Sequence, residues 1–548
     1  NMSTAWVCGR ATRVAAAAAA ASAAASAAAS AAASAASTAT ARNFTTTAAA
    51  AAAVSTTSPI AFAAPTPTPV TPPPATKGLS ADTLNGNLLA AQYAVRGEVV
   101  ARAAARAAGA AGAGGPPVKT IWCNIGNPHE LGQAPITFFR QVFALVNYPP
   151  LLEHPAAASL FPPDALARAR AYIAMLPGGT GAYSNSQGVL GIREEVASFL
   201  AARDGVPAHA SDVFLTDGAS PAVQMLIRAM IRDPSDAVLI PIPQYPLYTA
   251  SLSLYGGSAV GYYLREDDNW ALDPAELERA LAGAVAAGKN VRGIAVINPG
   301  NPTGNCLSVD NMRAVLDFAA RHGLVLLADE VYQENIWSDA KAPFTSFKKV
   351  AAGMGLVDPA ATNVNHGVQL ASFHSTSKGF VGECGRRGGY VELVGFDDAV
   401  RAQLYKLASI SLCSNVSGQL MMGLMVHPPV PGDASYPLYA AERDGILASL
   451  RRRAIKLVDG LRKLEDVTCE APEGALYVFP RIRLPPRAVA AAAAAGKAPD
   501  LFYALALLDA TGIVVVPGSG FGQVDGTYHF RSTILPSEAD MDAVITNI

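Results

Sequence analysis

Residues 324–332 read Leu-Val-Leu-Leu-Ala-Asp-Glu-Val-Tyr. A continuous apolar run closed by a carboxylate predicts a strand buried on both faces that ends at Asp329. Working outward, similar short runs stand at Val213 to Leu215, Ala237 to Ile242, Ile294 to Ile297, Gln369 to Phe373 and Gly389 to Val394. Helix-length spacers separate them, which implies crossover connections and a largely parallel sheet covered by helices: an α/β architecture. Beyond Leu412 the pattern changes to a long helix containing Arg443 to Leu464. Strand-like runs follow at Ala475 to Phe479, Ile513 to Val516 and Tyr528 to Thr533, as in a smaller α+β domain. The expected organisation is a leader over 1–81, an arm and the start of the small domain over 82–150, a large α/β domain over 151–411 and a small α+β domain over 412–548.

The flanks and the bulk composition narrow the function classes. Residues 1–81 hold no Asp or Glu, only Arg10, Arg13, Arg42 and Lys77 as basic residues, and long Ala/Ser tracts, the composition of an organellar transit peptide. A mitochondrial matrix address is the expectation, with the plastid as alternative, and the peroxisome if a C-terminal signal lies beyond Ile548. The tract from Val14 to Ala36 is interrupted by serines, and alanine offers too little apolar area to hold a helix in hydrocarbon, so no membrane span is expected. From Leu84 to Ala108 a helical arm is predicted, broken by the Gly-rich stretch 109–115. With 41 basic and 43 acidic side chains the net charge is −2, which points to a small-molecule partner rather than nucleic acid. The cysteines (Cys8, Cys123, Cys306, Cys384, Cys413, Cys469) form no metal-ligand spacing, and no metal is expected.

Several loops that follow the predicted strands carry chemistry. Ser375-Thr-Ser-Lys378 places one lysine among small hydroxyl residues; alone it reads more readily as a solvated surface charge, and its neighbours change that. Gly382 to Tyr390 offers a guanidinium in a Gly-rich turn where backbone can approach a phosphate. Asp329 suits a protonated ring nitrogen, or else caps the next helix, and Tyr332 and Asn301 of Asn301-Pro-Thr-Gly304 can bond a phenolic oxygen. The Ala219 and Ser220 amides open a helix-like segment, Pro221 to Ile231, where a phosphate dianion is favoured; Ser220 as a simple cap is the alternative. Tyr245 can serve as an aromatic plate. Arg531 lies in an apolar strand and needs an anionic partner, a substrate carboxylate or a structural ion pair. Gly518-Ser-Gly-Phe-Gly-Gln523 lacks the last glycine of a dinucleotide fingerprint. A Schiff-base lysine, a ring-nitrogen carboxylate, an aromatic plate, a phosphate cup and a carboxylate-binding cation are the groups that pyridoxal 5'-phosphate (PLP) chemistry requires.

These segments, in this order, resemble the fold-type I PLP-dependent transferases of the aspartate aminotransferase family. Within it, Cys123 to Pro128, Gly181 to Ser184, Leu215 to Pro221, Pro241 to Tyr248, Gly379 to Tyr390 and Val516 to Phe521 look like the alanine aminotransferases. The resemblance implies a mostly parallel, seven-stranded type of sheet with a smaller α+β domain. It also implies ping-pong transamination of L-alanine and 2-oxoglutarate to pyruvate and L-glutamate. Lys378 would be the Schiff-base and proton-shuttling residue; Asp329, Tyr332, Asn301 and Tyr245 would hold the ring, and Ala219, Ser220, Ser375 and Arg387 the phosphate. Arg386 is the alternative to Arg387, which is favoured because it directly precedes Gly-Gly-Tyr390. Arg531, the Gly126 backbone and Asn301 would take substrate, and Tyr183 would reach the phosphate of a second subunit in a homodimer. The rival readings are a glutamate:glyoxylate aminotransferase and a PLP lyase of the aminocyclopropane-carboxylate synthase type. An aminotransferase-like transcription regulator would need a basic helix-turn-helix module, which the Ala/Ser leader does not offer.

Overall fold

In a computed structural model that describes residues 79–93, 97–109, 119–357 and 367–548, the run that ends on Asp329 is a strand, Val325–Asp329. It lies in a seven-stranded sheet with the order β2-β8-β7-β6-β5-β3-β4. The strands are β2 (Val213–Thr216), β3 (Asp236–Ile242), β4 (Ser258–Tyr263), β5 (Asn290–Ile297), β6 (Val325–Asp329), β7 (Gln369–Ser375) and β8 (Gly389–Val394). The numbering leaves β1 for Ile121–Trp122. Only β8 runs against the others, pairing antiparallel with β2 and β7. One edge of the sheet therefore collects the carboxyl ends of six strands and the amino end of β8, which brings the loops after Thr216, Ile242, Ile297, Asp329 and Ser375 together with the turn before Gly389. In the register, Ser375 and Thr216 both sit opposite Gly389, and Asp329 sits opposite Ile297 and Phe373.

The strand side chains alternate between two buried faces. Val238, Ile240, Ala295, Ile297, Leu327 and Phe373 join one core, with helix Ala219–Met230 packed on it through Ala222, Val223, Leu226 and Ile227. Leu239, Ile294, Val296, Leu326, Ala328 and Leu370 join the other, under helix Val309–His322. Burial on both faces is why these strands read as unbroken apolar runs.

A further core surrounds the C-terminal elements. Helix Tyr436–Leu461 contributes Leu450, Ala454, Leu457 and Val458. The remaining strands are β9 (Val467–Thr468), β10 (Tyr477–Val478), β11 (Arg481–Ile482), β12 (Ile513–Val514), β13 (Val516–Pro517) and β14 (Phe530–Thr533). β10, β14 and β13 make a three-stranded antiparallel sheet, and β1 pairs in parallel with β12. Val99 and Ala103 of the arm pack into the same core.

Residues Leu79–Ile548 form one compact unit. Helix Val416–Val426, expected to belong to the small domain, is buried all round and packs with Ile192, Val196, Leu215 and Tyr390 beside the large sheet. The arm is two helices, Gly86–Ala90 and Glu98–Ala107, with Gly97 at the second start, rather than one; Val95 lies outside the described residues. The Ala/Ser leader up to residue 78 also lies outside them. Among the described residues no single helix is long and apolar enough to cross a membrane, and no group of His, Cys, Asp and Glu is arranged to hold a metal ion.

Candidate active site

Asp329 is the last residue of β6, and its carboxylate is buried at the sheet edge. The Tyr248 hydroxyl donates to Oδ2 at 3.1 Å, while Oδ1 has no partner. Burial pushes the carboxyl up to about 6, against the opposing pull of Tyr248, the Val331 amide and Lys378. A cavity of about 330 Å³ opens beside it, and Lys378, Ala219, Ser220, Tyr245, Asn301, Tyr332, Ser375, Arg387, Gly126 and Arg531 all line it. The Lys378 amine donates to the Gly126 carbonyl at 2.6 Å. Asn301 Nδ2 donates to the Tyr332 hydroxyl at 3.5 Å, so those two groups stand side by side.

At the other end of the cavity, helix Ala219–Met230 begins at the N-cap Gly218, which has φ 87° and makes no side-chain cap. Ser220 therefore does not cap the helix, and the start lies two residues earlier than Pro221. Helix-start amides and the positive end of the macrodipole make this a place for an anion. The Arg387 guanidinium crosses it, donating to the Asp217 carbonyl at 3.0 Å and to Ser377 Oγ at 3.4 Å. Arg386 points elsewhere, over the Phe143 ring at 4.4 Å and towards Glu383. Backbone fit is tight: a Cβ on Gly218 would lie 2.5 Å from Arg387 Nη2, and one on Gly389 would lie 2.5 Å from the Gly218 carbonyl carbon.

Arg531 on β14 is 1% exposed. Its Nη1 donates to Asn301 Oδ1 at 3.1 Å and its Nη2 to the Asn124 carbonyl at 2.5 Å, while Nε has no partner. It forms no salt bridge with a described carboxylate, so the structural ion pair weighed from sequence is not found there. A buried cation held only by neutral acceptors retains most of its electrostatic demand for an anion.

Besides Arg386, Tyr183 is the residue singled out from sequence that does not line this cavity; it is 77% exposed. Three tyrosines were not singled out. Tyr248 orients Asp329, Tyr477 lines the cavity under Arg531, and Tyr93 of the arm shares a 2.6 Å hydrogen bond with the Tyr245 hydroxyl. A tyrosine in an apolar run reads as core; the only hint was a phenol that needs a partner when buried.

The cavity fits a flat, phosphorylated ring carrying a protonated nitrogen. An unpartnered buried carboxylate oxygen waits at one end, a helix start with an arginine at the other, and bare glycine backbone between. The family model described as aminotransferase class I and II matches residues 154–548. Alanine aminotransferase 2 of Panicum miliaceum is 52% identical over 471 residues, covering 85% of this chain and 96% of that one. Glutamate–glyoxylate aminotransferase 1 of Arabidopsis thaliana is 51% identical, covering 86% and 95%. Mitochondrial alanine aminotransferase 1 of Arabidopsis thaliana is also 51% identical, covering 86% of each. Among solved structures, an alanine aminotransferase from Pyrococcus furiosus superposes with a TM-score of 0.66 at 23% identity, covering 85% of this chain and 98% of that one, a likeness of fold. By fold, by site and by relatedness along most of its length, the chain belongs to the class I and II aminotransferases.

Proposed function

We propose that this chain holds PLP in the cavity at the sheet edge and transfers the amino group of L-alanine to 2-oxoglutarate. The observation that carries the reading is that Lys378, an Asp329 with an unpartnered oxygen and a buried Arg531 without a salt bridge face one cavity. When bound, the cofactor supplies an aldehyde that condenses with amines and a ring that draws electrons from the carbon bearing the amino group.

The chain's own residues do the rest. Asp329, oriented by Tyr248, holds the ring nitrogen's proton; burial strengthens that ion pair by removing competing water. Asn301 and Tyr332 bond the phenolic oxygen, and Tyr245, fixed by Tyr93, packs against the ring. The Ala219 and Ser220 amides, Ser375 and Arg387 hold the phosphate, with Arg387 rather than Arg386 because only Arg387 lines the cavity. Arg531, with Asn301 and the Gly126 backbone, fixes the substrate carboxylate and turns Cα towards Lys378. The Lys378 amine, which lines the cavity, would take the proton from the substrate Cα and hand it on within the site, acting as base and then as acid. Both half-reactions use the same groups, so the kinetics are ping-pong. The exposed Tyr183 suits a homodimer in which it reaches the phosphate of the second copy. A mitochondrial address rests on the acid-free leader and on the relative named mitochondrial.

The 51% identity to a glutamate–glyoxylate aminotransferase favours glyoxylate as a second acceptor to compare. A steady-state screen of alanine and glutamate against 2-oxoglutarate, pyruvate and glyoxylate decides the pair. Alanine with 2-oxoglutarate is expected to give the highest kcat/KM, with turnover lost in Lys378→Ala. Preference for glyoxylate would replace the acceptor, and full turnover by the lysine variant would overturn the reading.

A further inference from the structure

Two features have no part in the assignments above: Tyr477, which lines the cavity, and the Gly518 to Gln523 segment, which lacks the last glycine of a dinucleotide motif. They meet at Arg531. Its guanidinium lies 4.1 Å from the Tyr477 ring and 4.8 Å from the Phe521 ring. Resting on the transamination reading, we propose that Tyr477 is a positioning residue of this site: its ring and that of Phe521 clamp Arg531 for the substrate carboxylate, and its hydroxyl supports the charge on Lys378.

The geometry supports both halves. Phe521 is fully buried and its carbonyl accepts from the Gln244 amide at 2.8 Å, which ties the segment to the loop of Tyr245. Tyr477 is fixed by β10, opposite Thr533 on the strand that carries Arg531. With rings packed on a planar cation, binding is confined to the guanidinium edge, where Asn301 and Asn124 already take one donor each. The clamp thus turns a flexible side chain into a fixed, in-plane receptor for a carboxylate.

The hydroxyl lies near the reacting amine. A Cβ built on Gly126 would lie 2.2 Å from the Tyr477 oxygen and 2.8 Å from Lys378 Nζ, so both atoms crowd one point that only glycine leaves open. The groups facing this phenol are Lys378, Arg531, Tyr332, Cys384 and Tyr245. Burial pushes the phenol up, yet the Lys378 and Arg531 charges, with the bond to Tyr332, outweigh it and hold it below the ordinary phenol range. An oxygen so placed favours the protonated, positively charged state of the lysine nitrogen.

Two variants separate ring from hydroxyl. In cofactor-loaded protein, Tyr477→Phe keeps the ring and Tyr477→Leu removes both. Binding is read by calorimetry with propionate, an alanine analogue that has no amino group, and charge by the pH midpoint of the bound cofactor's absorbance. Tyr477→Leu is expected to weaken propionate about 10-fold, the scale of a desolvated cation–π contact, while Tyr477→Phe stays within about 3-fold. Tyr477→Phe is expected to lower the absorbance midpoint by roughly half a unit or more, because the charged form loses a supporting oxygen. Equal propionate affinity in wild type and Tyr477→Leu, or an unmoved midpoint in Tyr477→Phe, overturns the assignment. A loaded wild type that binds no propionate overturns instead the reading of Arg531 on which it rests.

Discussion

Asp329 shows how one side chain acquires chemical character from its surroundings. In water an aspartate is a strong acid and a poor holder of protons; at the end of β6, burial moves it up to about 6, and the Tyr248 phenol, the Val331 amide and the Lys378 charge offset part of the cost. That phenol is the side-chain donor that fixes Oδ2. Tyr248→Phe keeps the packing and deletes the donor. It is expected to lower kcat/KM about 10-fold with little change in unfolding temperature, the effect of one hydrogen bond to a charged group. Steady-state kinetics beside a thermal melt checks it; unchanged kinetics would show that the packing alone orients the carboxylate.

Elements decide which residues meet. Six parallel strands and the reversed β8 deliver their loops to one edge, so a cofactor-sized cavity follows from topology before any side chain is chosen. At this scale Gly218 is the exposed point of failure. It combines φ 87° with a Cβ position 2.5 Å from Arg387 Nη2. Gly218→Ala is expected to weaken PLP binding at least about 10-fold by moving the arginine and the helix start together, as a cofactor titration of apoprotein would show; unchanged affinity would remove the helix start from the phosphate site.

This scale also shows what was legible in the sequence and why the rest was not. Asp329, Asn301 and Lys378 could be read because each follows an apolar run that could only be a buried strand. The parallel sheet was legible for the same reason. Helix Val416–Val426 was not legible because it is buried on nearly every side, which erases the stripe that would tell which neighbour it faces. Tyr477 and Tyr248 were missed because a phenol in an apolar run carries no periodic signal; its meaning comes from a strand or loop far away in the chain. The first arm helix ends at its cap Ala91, whose extended backbone nothing in the sequence marks, and Gly97 caps the start of the second.

The whole molecule carries a second, buried polar cluster beneath the site. Arg203 forks onto Asp204, Lys348 pairs with Glu392, Ser346 bonds Asp204, and Glu330 accepts the Phe347 amide at 2.8 Å. Glu330 follows Asp329 directly, so the cluster braces the strand end from below. Burial pushes Glu330 from an ordinary 4.5 up to about 7, despite the favourable charge of Arg203. The folded state therefore binds its proton more tightly than the unfolded chain. The stability it allows is complete below about 4.5 and is lost as pH rises towards 7. Glu330→Gln keeps the acceptor for Phe347 and removes the titration, so its stability relative to wild type is expected to rise across that window by up to ~3 kcal/mol. Urea unfolding at several pH values measures this, and a pH-independent difference would contradict it.

The account as a whole stands on Lys378 as the residue that joins the cofactor. Borohydride reduction of the PLP-loaded protein, followed by peptide mapping, tests that bond directly. A single reduced adduct on Lys378, absent after Lys378→Ala, is the predicted result; an adduct on another lysine, or none in protein that turns over, would contradict it.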